Sequence, residues 1–192
     1  AFAEDPSGAM WIGTNGGGLA LLDPDSGHFT SCKNNPSDPT TLSDNTVYDI
    51  RVDQAGTVWV GTRGGGLDRV TGDLRSPDSV EFVNLSRIDG IGNDTIYGIE
   101  SDAEGWMWLS TNYGITRYHP TSGEFKVLHN RDGLQSEEFN FGAHHTSATG
   151  ELFFGGTKGF NAIAPNKVRS AGIAPLIAEE IGLRMDQIGY EF

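Results

Sequence analysis

The chain has 192 residues, 36% of them hydrophobic and 27 of them glycine, with 26 acidic against 13 basic side chains and a formal net charge of −13. The scattered lysines and arginines exclude a surface built to neutralise phosphates, so no nucleic-acid partner is expected. A single cysteine, Cys32, rules out an internal disulfide, and no apolar run is long enough to span a bilayer as a helix.

The opening stretch, Ala1 to Gly8, aligns with Tyr48 to Gly56, so the chain is expected to begin inside a repeat unit with any targeting segment upstream. One pattern then recurs along the chain. It runs Gly8, Trp11, Gly13, Thr14; then Gly56, Trp59, Gly61, Thr62; then Gly105, Trp108, Ser110, Thr111. A looser copy runs Gly150, Phe153, Gly155, Gly156. A period of this length marks repeat architectures, in which each unit buries its apolar face on its neighbour.

The second and third units read as strands. Residues 47–52 alternate apolar and polar side chains, residues 53–56 make a turn, and residues 57–61 form a second strand carrying Trp59. Further strands are expected near 67–70 and 80–83, and the third unit repeats them at 96–101, 106–111, 115–119 and 125–128. Four short antiparallel strands per unit define a β-propeller blade. The expected fold is all-β: a partial propeller of about four blades over residues 1–168, with a β-sandwich as the alternative. The tail, 169–192, reads either as a strand near 174–178 or as a helix with Ile177, Ile181, Met185 and Ile188 on one face. At one register in each unit, Trp11, Trp59 and Trp108, with Phe153 or Phe154, are expected to fill the spaces between blades; an aromatic platform for sugars is the alternative.

These stretches resemble the two-component regulator propeller repeat. The resemblance rests on Asp44–Tyr48 with Val58–Thr62 and Gly65–Leu67, and on Asp94–Tyr97 with Trp108–Thr111 and Tyr113–Ile115. The linker His28–Asp44 and the segments Gly133–Asn140, Gly150–Thr157 and Gly159–Asn161 extend it to about residue 168. The resemblance implies a non-catalytic sensor region, periplasmic, of a membrane-bound histidine kinase, hybrid two-component protein or diguanylate cyclase. It also implies downstream signalling domains, with an immunoglobulin-like domain commonly next after the propeller. Some members of the family respond to oligosaccharides.

Candidate chemistry is sparse. Asp23, Asp25 and Gly27 superficially suggest a calcium loop but lack its alternating ligands and closing Glu, so they read as a hairpin turn. His144 and His145 are adjacent on a strand and point to opposite faces, a poor geometry for sharing one metal. Glu137 and Glu138 have no evident catalytic partner, and no cofactor motif is present. Binding is the better prospect. The loops joining second and third strands carry Asn15, Arg63, Asn112, Tyr113 and Lys158, which would converge on one face around a small polar ligand such as an oligosaccharide. Two other functions compete: a propeller lyase using His144 or His145, and a scaffold whose open edge strands pair with a second copy as a homodimer.

Overall fold

A computed structural model describes residues 1–72 and 79–168, and the strand and helix readings of the tail fall outside the described residues. Among the described residues, fifteen strands form four antiparallel sheets, each a meander in chain order. The first sheet is β1 (Phe2–Glu4), β2 (Met10–Gly13), β3 (Leu19–Leu22) and β4 (Phe29–Cys32). The second is β5 (Val47–Val52), β6 (Val58–Thr62), β7 (Leu67–Thr71) and β8 (Glu81–Leu85). The third is β9 (Ile96–Ser101), β10 (Met107–Thr111), β11 (Ile115–His119) and β12 (Glu124–Leu128). The fourth has three strands among the described residues: β13 (Phe139–Thr146), β14 (Leu152–Gly156) and β15 (Gly159–Ile163). The sheets are blades of a partial β-propeller.

The first strand of each blade packs against the first two strands of the blade before it: β5 on β1 and β2, β9 on β5 and β6, β13 on β9 and β10. Three apolar cores lie along these contacts. Trp11 packs with Val47 and Ile50, Trp59 with Ile96 and Ile99, and Trp108 with Phe139, and each tryptophan is fully buried. The tryptophans are inter-blade fillers, as the repeat register suggests. In the last blade Phe154 joins the core with Trp108, while Phe153, at the tryptophan register, is only half-buried.

Each residue of the Trp-Gly-Thr pattern has its own task. The indole N–H of Trp11, Trp59 and Trp108 donates to Asp5, Asp53 and Asp102, at 2.8, 2.8 and 2.9 Å. The other oxygen of each aspartate accepts two backbone N–H groups of the intervening turn, as Asp53 does from Ala55 and Thr57 at 2.9 Å each. Burial would leave the indole N–H unpaired, so one carboxylate both closes the turn and satisfies the tryptophan. The glycine admits the next blade: a Cβ on Gly61 would stand 2.9 Å from Ile96 Cγ2, closer than packed carbons allow. The threonine closes the following hairpin, with Thr62 Oγ1 donating to Gly66 O at 2.9 Å and Thr111 Oγ1 to Gly114 O at 2.9 Å.

A second set of bonds ties each linker to the blade it enters. On the third strands, Asp68, Thr116 and Asn161 accept the backbone N–H of Ser43, Gly92 and Gln135, at 3.0, 2.9 and 2.9 Å. The linker residues just before these, Leu42, Ile91 and Leu134, are buried.

Candidate functional site

Three consecutive blades bulge at the same place on their innermost strands. The pairing register slips between Val47 and Asp49, between Ile96 and Gly98, and between Phe139 and His144. A bulge re-aims side chains that regular pleating would direct elsewhere. Here Tyr48, Tyr97 and Phe141 come together. The rings of Tyr48 and Tyr97 stack at 5.5 Å and 29°, and Phe141 meets Tyr48 at 4.9 Å and 45°. Phe141 is exposed and the two tyrosines are half-buried, so the cluster presents aromatic surface to solvent.

One hydrogen bond gives this surface a polar edge. Tyr97 Oη donates to Asn112 Oδ1 at 2.5 Å. Burial, reinforced by Tyr48 and Glu138, raises the Tyr97 phenol above its ordinary value, so it remains a neutral donor. The carboxamide N–H₂ of Asn112 then faces outward from an exposed side chain. Aromatic faces beside a phenol and a carboxamide can stack on the apolar face of a ring and bond its edge.

The five loop residues expected from the sequence are all exposed, and all lie in or beside the second-to-third-strand hairpins. Asn112 joins the aromatic cluster. Asn15 makes an isolated bridge with Thr46, and the Arg63 backbone N–H donates to Thr46 O at 3.0 Å. Those two positions therefore flank the linker leading to Tyr48. Tyr113 turns to another group, its ring 4.8 Å from that of His129, which lies 2.8 Å from Glu137 Oε2. Lys158 sits in the shorter last hairpin, where its backbone N–H donates to Gln135 Oε1 at 2.7 Å. Tyr48, Tyr97 and Phe141 were not among the expected residues; the repeated Thr-Val-Tyr and Thr-Ile-Tyr at strand starts was the available signal.

Further along the same three strands lies a polar cluster around the buried Glu100, its other members half-buried. His144 Nδ1 stands 2.9 Å from Glu100 Oε1, and Nε2 stands 3.3 Å from Asp49 Oδ2. Arg51 pairs with the other oxygen of Glu100 at 3.0 Å, and Thr146 Oγ1 donates to it at 2.6 Å. Asp49 also accepts the Ile99 N–H at 2.7 Å. Burial alone would push the His144 imidazole down, but the Glu100 hydrogen bond and the charges of Asp49 and Glu100 outweigh it and hold the pKa above the ordinary value. Burial likewise opposes ionisation of Glu100, yet its bonds from His144 and Thr146 and the Arg51 charge keep it below the usual carboxylate value. Both His144 nitrogens face carboxylates, so neither is free to exchange a proton with a ligand. His145, on the opposite face, is exposed. Among the described residues, no three His, Cys, Asp or Glu side chains converge as a metal site.

A cavity of about 740 Å³ opens where these strands end, lined by Arg51, Gln54, Ser101, Glu104, Thr146 and Lys167 among others. It lies at the first-to-second-strand turns, the opposite end of the blades from the aromatic cluster.

The blades thus form part of a propeller, with an aromatic mouth at one end. Residues 41–64 match the family described as the two component regulator propeller, and the chain carries that repeat. The fold is similar to the extracellular domain of the hybrid two component system BT3049 from B. thetaiotaomicron, with 28% identity and a TM-score of 0.73 over 86% of this chain and 21% of that one. It is also similar to the extracellular domain of the hybrid two component system BT4673 from the same organism, at 24% identity and a TM-score of 0.70 over 90% of this chain and 24% of that one. Histidine kinase P4 of Formosa agariphila is 25% identical over 80 residues, which are 42% of this chain and 6% of the kinase. The chain thus spans under a quarter of each relative.

Proposed function

We propose that the chain is part of the extracytoplasmic sensor propeller of a two-component signalling protein, and that it binds a carbohydrate at the axial mouth formed by Tyr48, Tyr97 and Phe141. The observation that carries this reading is the exposed three-blade aromatic cluster with its Tyr97–Asn112 polar edge. A pyranose offers an apolar face to such rings and hydroxyls to the phenol and carboxamide. Asn15 and Arg63 flank the mouth and supply further contacts, while Tyr113 and Lys158 stand further out. The likeness to extracellular domains of hybrid two-component systems supports the periplasmic setting, with catalysis residing in downstream signalling domains. Titration calorimetry of the chain against an oligosaccharide panel tests the ligand; absence of heat across the panel removes the carbohydrate.

A second reading is supported by the end blades. Phe2 and Phe29 on the first blade and Phe160 on the last are exposed, at 74%, 59% and 41%. A second copy docking through these faces would bury them as a homodimer. Light scattering that shows a monomer at every concentration removes it.

A further inference from the structure

The polar cluster and the aromatic mouth occupy the same three strands. On β5, Asp49 follows Tyr48; on β9, Glu100 lies just beyond Tyr97; on β13, His144 lies just beyond Phe141. His144 belongs to the fourth blade, yet it reaches Asp49 of the second. It does so over Gly98 of the blade between them: a Cβ there would fall inside the space the imidazole occupies, 2.9 Å from its Nε2 and closer still to the ring carbons. Strands β13 and β5 consequently touch although they are not neighbouring blades.

We propose that the Asp49–His144–Glu100 clasp is a proton-operated control on the axial aromatic mouth, drawing β13 to β5 when the imidazole is charged and releasing it when the proton leaves. The inference rests on the mouth being the ligand site. An imidazolium bonds Glu100 through Nδ1 at 2.9 Å and holds Asp49, 3.3 Å from Nε2, by its charge. On losing its proton to solvent the ring loses its charge and keeps one N–H. Its attraction to Asp49 is then lost or its bond to Glu100 weakened, while Asp49 keeps the Ile99 N–H and Glu100 keeps Arg51 and Thr146. With the imidazolium gone, Asp49 and Glu100 stand as two like charges without the cation between them, and the strands relieve that repulsion by separating.

The groups around His144 are few. From β5 come Asp49 and Arg51, from β9 comes Glu100, and β13 itself adds the neutral Thr146. The pairing neighbour on β14 is Phe154, which carries no charge. Arg51 is held by Glu100 and by Ser101 Oγ at 3.3 Å, so it opposes the imidazolium without replacing it. The separation of Phe141 from Tyr48 is the quantity the clasp sets, because those side chains sit on the two strands that it joins.

Nuclear magnetic resonance of the chain, with labelled histidine and tyrosine and no ligand, tests the coupling across pH 5–9. The imidazole of His144 and the rings of Tyr48 and Tyr97 should titrate with one midpoint above that of an exposed histidine. In His144→Gln the tyrosine signals should become independent of pH over that range. Tyrosine signals that stay flat while His144 titrates, or that still titrate in His144→Gln, would overturn the proposal. Should that variant fail to fold, Asp49→Asn serves: the His144 midpoint must fall and the tyrosine midpoint must follow it, and an unchanged pair would overturn the clasp. Because no ligand enters, failure of carbohydrate binding would leave this result intact, and the reverse also holds.

Discussion

Trp59 donates its indole N–H to Asp53, six residues earlier, and the same pair recurs as Asp5 with Trp11 and Asp102 with Trp108. In the fourth blade both members change together: Phe153, which has no N–H, stands six residues after Ser147. Ser147 keeps the turn-closing part of the task, accepting the Glu151 N–H at 3.0 Å and pairing with Thr149 Oγ1 at 2.9 Å. The aspartate is therefore kept where an indole must be satisfied.

Replacing Asp53 by Ala leaves the buried indole N–H and two turn N–H groups without their acceptor. Urea unfolding should show a loss of about 2–4 kcal/mol. Ser147→Ala, which removes two exposed bonds, to the Glu151 N–H and to Thr149 Oγ1, should cost less, about 1 kcal/mol. Equal costs would contradict the double role of Asp53.

Ser110 occupies the register where Gly13 and Gly61 stand in earlier blades, and its buried hydroxyl has no hydrogen-bond partner. Ser110→Ala removes that polar atom without opening a cavity larger than the oxygen. Thermal unfolding should show a gain of up to about 1 kcal/mol, and a loss would mean that the hydroxyl is paired.

Asp68 is fully buried, and burial first, then the charge of Asp44, pushes its pKa to about 6 against the bonds from Ser43 and Asn84. A folded value above the unfolded one means that the protonated form is favoured on folding. Its contribution is full below pH 3.8 and is lost as pH rises through about 6, a change of about 3 kcal/mol. Stability of Asp68→Asn relative to the parent chain should rise across pH 4–7, and parallel pH curves would contradict the assignment.

Gly98→Ala places a methyl group where the His144 ring lies. The imidazole must leave its position between the two acids, at a cost of about 1–3 kcal/mol. Its midpoint, followed by nuclear magnetic resonance, should move toward that of an exposed histidine; a midpoint unchanged from the parent chain would show that the ring never filled that space.

The strands were readable because each is local. The strand pattern of the second and third units yielded β5, β9 and β11 at the bounds observed, and placed the other strands of those two blades to within about two residues. The tryptophans were readable as fillers because their register repeats. Only part of the mouth could be seen. Asn112 was found through its hairpin, but its partner Tyr97 acts from a strand start, aimed by a bulge that shows only once β9 and β10 are paired. The His144 clasp was hidden for a similar reason. Three residues from three blades meet there, and the gap that admits them is a glycine, which looks in sequence like any other strand glycine.

The function of the chain turns on whether the aromatic mouth holds the ligand. Calorimetric titration of the chain with the oligosaccharide panel, run in parallel on Tyr97→Ala, addresses that directly. The prediction is measurable heat with at least one oligosaccharide, and affinity at least roughly tenfold weaker in the variant, or about 1.4 kcal/mol. Binding of equal strength by both proteins would place the ligand elsewhere and contradict the account.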